Sequence, residues 1–370
     1  MKYYIIAGEA SGDLHGSNLI KALSVADSKA KFRVWGGDLM EQAGATLVKH
    51  YRDLAFMGFL EVLLNLRTIL GNIRFCKSDI AEFSPDVIIF IDYPGFNLRM
   101  AKWAKARGFR THYYISPQIW AWKENRIRQI KQDVDQMYVI LPFEKPFYED
   151  KHKMAVSFVG HPLIDAIANR PKANLKTLKE SYGLGNQPII ALLPGSRQQE
   201  IQKMLSAMLS VVEAFPDYQF VIAGAPSQPE KVYKSYIKND RIHFVSNATY
   251  DLLSIADAAL VTSGTATLET ALFKVPQVVC YKSSWLSYQI GKRVVKLKFI
   301  SLVNLIMDRK VVTELIQNEL NTQRLTAELK HILEPKTQKL LQVDYNDLEQ
   351  KLGGPGASQK VAELVIKDLG

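Results

Sequence analysis

The chain has 370 residues, 47% of them hydrophobic and 23% charged, an ordinary globular composition that excludes a disordered chain, a low-complexity array or a solenoid. Its 47 lysines and arginines against 37 aspartates and glutamates leave a net charge of +10, which favours anionic partners. The basic residues are scattered without a zinc-finger, RNP-type or basic-zipper pattern, so nucleic acid is not expected and phosphorylated substrates or an acidic membrane surface come first.

This length favours two domains with a cleft between them. The first apolar run, 3–7, leads directly into Gly8-Glu9-Ala10-Ser11-Gly12-Asp13 and reads as a strand and turn, not as a signal peptide. Gly8, Gly12 and Gly16 suggest a flexible loop at the mouth of a sheet, with Glu9, Ser11 and Asp13 facing the cleft, or Asp13 capping its own helix. Further strands are expected at 32–35, 87–91, 111–115, 137–141 and 156–159, and helices at 13–26, 97–107 and 125–131, the pattern of a doubly wound α/β half. Residues 54–70 (LAFMGFLEVLLNLRTIL) are apolar around most of a helical circumference. They form either a buried core helix or one that lies in a membrane interface and captures lipid through Phe56, Met57, Phe59, Leu60 and Leu63. No run of about 18 uncharged apolar residues occurs, so nothing is expected to span a bilayer. Cys76 and Cys280 read as buried thiols in a reducing compartment.

Strand 87–91 ends in Ile91-Asp92-Tyr93-Pro94-Gly95-Phe96-Asn97. A carboxylate at such a tip can deprotonate an acceptor hydroxyl; an aspartate that merely shapes the turn is the competing account. Aromatics follow the next strand, with Trp120 and Trp122 either packing a loop or forming a wall for a sugar or acyl chain. Asp133-Val134-Asp135 matches an acidic metal-binding pattern but precedes a strand, at the wrong end of a sheet. The seven histidines are dispersed, so no metal is expected, and His15 and His161 read as turn or capping residues.

After Gly160-His161-Pro162 a second series of strands opens at 189–193, 220–223, 243–245, 258–261 and 277–281. Two of its strand ends carry anion-binding chemistry. Gly195, Ser196 and Arg197 in LPGSR offer backbone N–H groups and a charged fork for phosphate, unless Ser196 is a plain helix cap. Ser263, Gly264 and Thr265 open a helix whose positive end suits a diphosphate. Glu269, one turn farther on, either accepts from ribose hydroxyls or complements the helix dipole. No GxxxxGK[ST] occurs and the first strand does not lead into GxGxxG, so ATPase and dinucleotide-binding readings lose ground. The GGPGA break at 353–357 precedes a last helix, 358–369, expected to return to the first domain.

Together GEASGD (8–13), FMGFLEVL (56–63), IDYPGFN (91–97), SPQIWAW (116–122), LPFE (141–144), VGHPL (159–163), LPGSR (193–197), SGTATLE (263–269) and GGPGAS (353–358) resemble lipid-A-disaccharide synthases, in the family's order along almost the whole chain. The resemblance implies an α/β GT-B fold of two Rossmann-like doubly wound parallel-sheet domains. Residues 1–165 with the C-terminal helix 355–370 would bind acceptor and lipid, and 166–354 the UDP-sugar donor. It implies transfer of 2,3-diacylglucosamine from UDP-2,3-diacylglucosamine to the 6-hydroxyl of 2,3-diacylglucosamine 1-phosphate (lipid X), inverting the anomeric centre without metal or cofactor. The products are the β-1,6 lipid A disaccharide 1-phosphate and UDP. On the same ground Asp92 matches the family's proposed base and Glu9 an acidic residue on the acceptor side. Arg197, Glu269 and Asn304 match its UDP-site residues, Asn304 by resemblance alone. The family also suggests a homodimer, peripheral on the cytoplasmic face of the inner membrane. Tyr93 and Gly95 flank the proline where the family often has a small residue or an acidic pair, which leaves the shape of that turn open. The rivals are a UDP-N-acetylglucosamine 2-epimerase-like enzyme, which has no need of the apolar segment, and a non-catalytic lipid- or nucleotide-binding protein, which has no use for Asp92.

Overall fold

Runs such as Val87–Ile91 and Ile189–Leu193 are apolar throughout and buried along their whole length, as strands of a parallel sheet covered by crossover helices must be. The computed structural model describes residues 1–54, 66–170, 174–226, 228–284, 288 and 297–370; Phe56, Met57, Phe59, Leu60 and Leu63 lie outside them. The chain divides into one unit of Met1–Asn169 with Leu352–Gly370 and another of Arg170–Lys351.

The first unit holds β1 (Lys2–Ala7), β2 (Lys31–Gly36), β3 (Thr46–His50), β4 (Val87–Ile91), β5 (Arg110–Tyr114), β6 (Gln136–Val139) and β7 (Ser157–Phe158). They form a parallel sheet in the order β3-β2-β1-β4-β5-β6-β7. The second unit holds β8 (Ile189–Leu193), β9 (Gln219–Gly224), β10 (Ile242–Ser246), β11 (Ala258–Thr262), β12 (Gln277–Tyr281) and β13 (Thr313–Ile316), again all parallel, ordered β10-β9-β8-β11-β12-β13. The strand order reverses between β1 and β4 in one sheet and between β8 and β11 in the other. In open α/β sheets ligands bind at such a switch point, beyond the carboxyl ends of the strands. Two strands carry no apolar signal in the sequence, β3 and β13. Both are edge strands of intermediate exposure, so polar residues are tolerated along them.

The glycines after β1 form no flexible loop. Gly12 and Gly16 sit inside the helix Ala10–Ala26, where an added Cβ would lie 3.0 Å from the Ala7 Cβ and 2.8 Å from the Met40 sulfur; Gly12 lets the helix press onto β1 and Gly16 onto the helix Asp38–Gln42. Asp13 neither faces a cleft nor caps its own helix. It is 2% exposed, and its carboxylate accepts from the backbone N–H groups of Gly37 (2.7 Å), Leu39 (3.1 Å) and Met40 (3.1 Å), capping the neighbouring helix Asp38–Gln42. The C-terminal helix Ala357–Leu369 packs on Ala10–Ala26. Asp165 holds its start by accepting from Gly356 N (2.6 Å) and Ser358 N (3.1 Å), and Asp368 holds its end through Gln136 Nε2 (2.7 Å) and His112 Nε2 (3.0 Å). Cys76 and Cys280 are buried free thiols. Among the described residues no helix is long and apolar enough to cross a membrane.

Candidate functional site

In the second unit β8 and β11 end at one pocket of ≈ 280 Å³, lined by Gly195, Ser196, Ser263, Gly264, Thr265 and Glu269 among others. Gly195 has φ +102°, and a Cβ there would come within 2.9 Å of the Glu200 carboxylate, so the β8 loop needs glycine. The helix Thr265–Leu272 starts at the pocket; its first N–H groups lack intrahelical acceptors and point where an anion would sit. The Ser263 hydroxyl is not a donor for that anion, because it already donates to the Ile300 carbonyl at 2.8 Å. Arg197 is exposed beside the pocket, its guanidinium 3.5 Å from Glu200.

Glu269, in the first turn but one of that helix, is largely withdrawn from solvent. Burial pushes its carboxyl up, and the hydrogen bond from the Tyr250 phenol (2.9 Å) acts against that rise. Tyr250 is itself braced: Arg170 Nη1 donates to its carbonyl at 2.7 Å while the Arg170 guanidinium lies over the Phe273 ring, 5.0 Å from its centroid. Asn304 differs from expectation. It is fully buried; its Nδ2 donates to Val312 O and Glu314 Oε1, both at 2.9 Å, and its Oδ1 accepts from Val311 N (2.7 Å) and Val312 N (3.0 Å). No donor or acceptor is left over for a nucleotide. Glu314 also receives the N–H groups of Ile300 and Ser301, each at 3.0 Å, so Asn304 helps to order the segment that Ser263 grips.

In the first unit Asp92 directly follows β4 and Glu9 follows β1, on the two strands of the switch point. Asp92 and Tyr93 have φ of 44° and 48°, a left-handed pair that non-glycine residues adopt rarely and at a cost. The pair is over-determined: the Asp92 carbonyl accepts from Asn97 Nδ2 (2.7 Å) and from the Tyr113 hydroxyl (2.6 Å), and the Asp92 N–H donates to Tyr114 O (3.1 Å). The Tyr93 ring lies over Gly8, where a Cβ would meet it at 2.3 Å, so the first and fourth strand ends interlock. Burial, then the negative charge of the exposed Glu9, raise the Asp92 carboxyl to about 6, against a smaller opposing bond from the Tyr93 backbone. A carboxylate poised there is a base near neutral pH.

The aromatic loop after β5 divides. Trp120 is anchored, donating through Nε1 to the buried Glu144 (3.2 Å), which also accepts from Ser116 Oγ (2.5 Å) and from the N–H groups of Ile140 and Leu141. Trp122 is 46% exposed. His161 caps the helix Pro162–Ala168 by accepting from Leu163 N at 3.2 Å; burial lowers it to about 3, with a smaller push from His15. Asp135 is occupied with Lys105 and with Thr111 N and Oγ1 at the amino end of β6. Among the described residues no His, Cys, Asp and Glu group could hold a metal ion. Thr249 and Glu200 at the pocket, Tyr250 behind Glu269 and Tyr113 beneath Asp92 carry no signal in the sequence. Tyr250 lies 19 residues from Glu269 and Tyr113 21 residues from Asp92, on other elements and without a local pattern.

The sequence matches the profile of a family described as lipid-A-disaccharide synthetase over residues 3–367. It is 41% identical to the lipid-A-disaccharide synthase of Syntrophus aciditrophicus, over 98% of this chain and 96% of that one. It is 37% identical to that of Geobacter metallireducens, over 99% and 97%. Among solved structures it resembles the UDP-GlcNAc 2-epimerase of Neisseria meningitidis bound to UDP-GlcNAc (TM-score 0.72, 13% identity, 99% of this chain and 100% of that one). It also resembles a glycotransferase of kitacinnamycin (TM-score 0.66, 15% identity, 100% and 99%). At these identities the structural likeness bears on the fold, which is GT-B.

Proposed function

The chain belongs to the lipid-A-disaccharide synthase family and is a glycosyltransferase of lipid A biosynthesis, and from that premise we propose how its residues divide the reaction. The donor is UDP-2,3-diacylglucosamine. Its diphosphate lies against the N–H groups that open Thr265–Leu272 and against the loop of Gly195 and Ser196, with Gly264 giving backbone approach. Arg197, paired only loosely, turns its guanidinium to the same charge. Glu269 accepts from the ribose hydroxyls. Ser263 and Asn304 order the neighbouring segment instead of touching the nucleotide.

The acceptor is lipid X. Asp92 takes the proton of its 6-hydroxyl as that oxygen bonds to the anomeric carbon of the donor. The bond from that carbon to the diphosphate breaks and UDP departs, its charge met by helix N–H groups. One displacement inverts the centre and leaves the proton on Asp92. Beyond burial, Glu9 raises the Asp92 carboxyl and makes it a stronger base that titrates at about 6. The observation that carries this reading is the Asp92 carboxyl, held in a strained turn at the switch point and raised to about 6. Segment 54–70 and the net positive charge favour peripheral attachment to the cytoplasmic face of the inner membrane, and a homodimer remains part of the proposal.

Purified protein given UDP-2,3-diacylglucosamine and lipid X forms disaccharide and UDP, undiminished by chelator. Asp92→Asn loses turnover on the order of 10²- to 10⁴-fold while UDP binding by calorimetry persists. Unchanged turnover in Asp92→Asn removes the base assignment. Epimerisation of UDP-N-acetylglucosamine in place of disaccharide formation would favour the epimerase reading.

A further inference from the structure

The loop between β5 and the helix Ile127–Asp133 holds two cations that have no counterion among the described residues. Lys123 Nζ lies 4.3 Å from the centroid of the exposed Trp122 ring, and the Arg126 guanidinium 6.0 Å from the same ring. Among the described residues neither cation is within ion-pair distance of a carboxylate. The intervening Glu124 is engaged elsewhere, with Lys151 at 2.6 Å and His152 at 2.9 Å. The loop is not a loose surface feature. Ser116 and Trp120 tie it to the buried Glu144, Trp122 N donates to Gln118 O at 3.4 Å and Arg126 N to Lys123 O at 3.0 Å, and Lys123 is held at φ 55°.

Its place in the sheet matters. β5 pairs with β4 so that Tyr114 sits beside Ile91, and the loop therefore leaves the same sheet edge as Asp92, one strand away. Tyr113, whose hydroxyl donates to the Asp92 carbonyl at 2.6 Å, also feels the positive charge of Arg126. A cation pair on the loop of the strand beside the base suits a substrate that carries an anionic group apart from its reacting hydroxyl.

We propose that Lys123 and Arg126, gathered around Trp122, form an anion site for the phosphate monoester of the acceptor sugar. The proposal rests on the acceptor being the 1-phosphate named above. Two nearby cations meeting a dianionic phosphate make charge-assisted hydrogen bonds that a neutral acceptor cannot, so the site selects the phosphorylated monosaccharide. The indole edge and face give the sugar an apolar border. The headgroup phosphate of an anionic lipid has the same chemistry, and the proximity to Asp92 argues for the substrate.

The test compares wild type with Lys123→Ala/Arg126→Ala in neutral detergent micelles, free of anionic lipid. The acceptors are lipid X and its dephosphorylated form. We expect the variant's KM for lipid X to rise roughly tenfold or more, its KM for UDP-2,3-diacylglucosamine to stay unchanged, and its preference for lipid X over the dephosphorylated acceptor to collapse. Lys123→Arg, which keeps the charge, retains that preference. Flotation with phosphatidylglycerol vesicles is the second arm. An unchanged acceptor preference overturns the proposal, whether or not vesicle binding falls; a fall confined to vesicles assigns the cations to the membrane. If wild type itself makes no disaccharide, the failure belongs to the proposed reaction and not to this site. Thermal unfolding of the double variant, matched to wild type, excludes misfolding, and should the double variant not fold, Lys123→Ala and Arg126→Ala singly give the answer, each expected to weaken the preference for lipid X and overturning the proposal if neither does.

Discussion

At Asp92 two unfavourable features coincide, a left-handed backbone and a carboxylate withdrawn from water beside another acid. Such features persist where surrounding bonds over-determine them, and here Asn97, Tyr113 and the Tyr93 ring over Gly8 do so. As the proposed base, Asp92 must be ionised to act, so kcat/KM should climb with pH through about 6 and level off above it. Glu9→Gln removes the second cause of the raised value, so its acidic limb should move to lower pH; a pH–rate profile of both proteins measures this, and a limb that does not move would free Glu9 of that role. Glu269 depends on a neighbour in the opposite sense. The Tyr250 phenol supports its charged form, so Tyr250→Phe should raise its carboxyl further and weaken UDP by about tenfold, the scale of one hydrogen bond to a charged group, with 2′-deoxy-UDP affected less. Isothermal titration of the two nucleotides reads this directly. The place of Asp92 at the tip of an apolar strand was legible in the sequence, whereas the partnership of Tyr250 with Glu269 was not, since nothing within its own helix refers to Glu269.

Single side chains also decide how whole elements dock. The helix Ala357–Leu369 starts with backbone N–H groups that receive no cap from its own residues, and the Asp165 carboxylate supplies two acceptors from the helix Pro162–Ala168. Asp165→Ala leaves those donors unmet and should lower stability by roughly 1–3 kcal/mol, seen in urea unfolding as a lower midpoint with little change in slope. Asp13 does the same for Asp38–Gln42 across a loop. The helices at 10–26 and 357–369 and most central strands could be placed from their apolar periodicity, because burial on both faces writes itself into composition. The edge strands β3 and β13 could not, because one open side relaxes that demand.

Across the molecule as a whole, pH acts through groups that folding strips of water. His15 and His161 fall to about 4 and about 3, below their ordinary value near 6.5, so between about pH 6.5 and 4 the unfolded chain binds more protons than the native one. Their contribution to stability is therefore complete above that window and lost as pH drops through it, while Asp92, raised in the fold, works in the opposite direction. His161→Asn keeps an acceptor for Leu163 N and should show a smaller fall in Tm between pH 7 and pH 5 than wild type in calorimetry. The sequence alone determined the repeated α/β architecture, the loops at the strand ends and the family, because strand composition and short motifs are local properties of the chain. Only the tertiary structure decided that Asp13 and Asn304 spend every polar atom on backbone and neighbouring side chains, that Ser263 grips Ile300, and that Tyr250 stands behind Glu269. Hydrogen-bond partners of this kind come from residues distant in sequence, and no local spacing encodes which of them will meet.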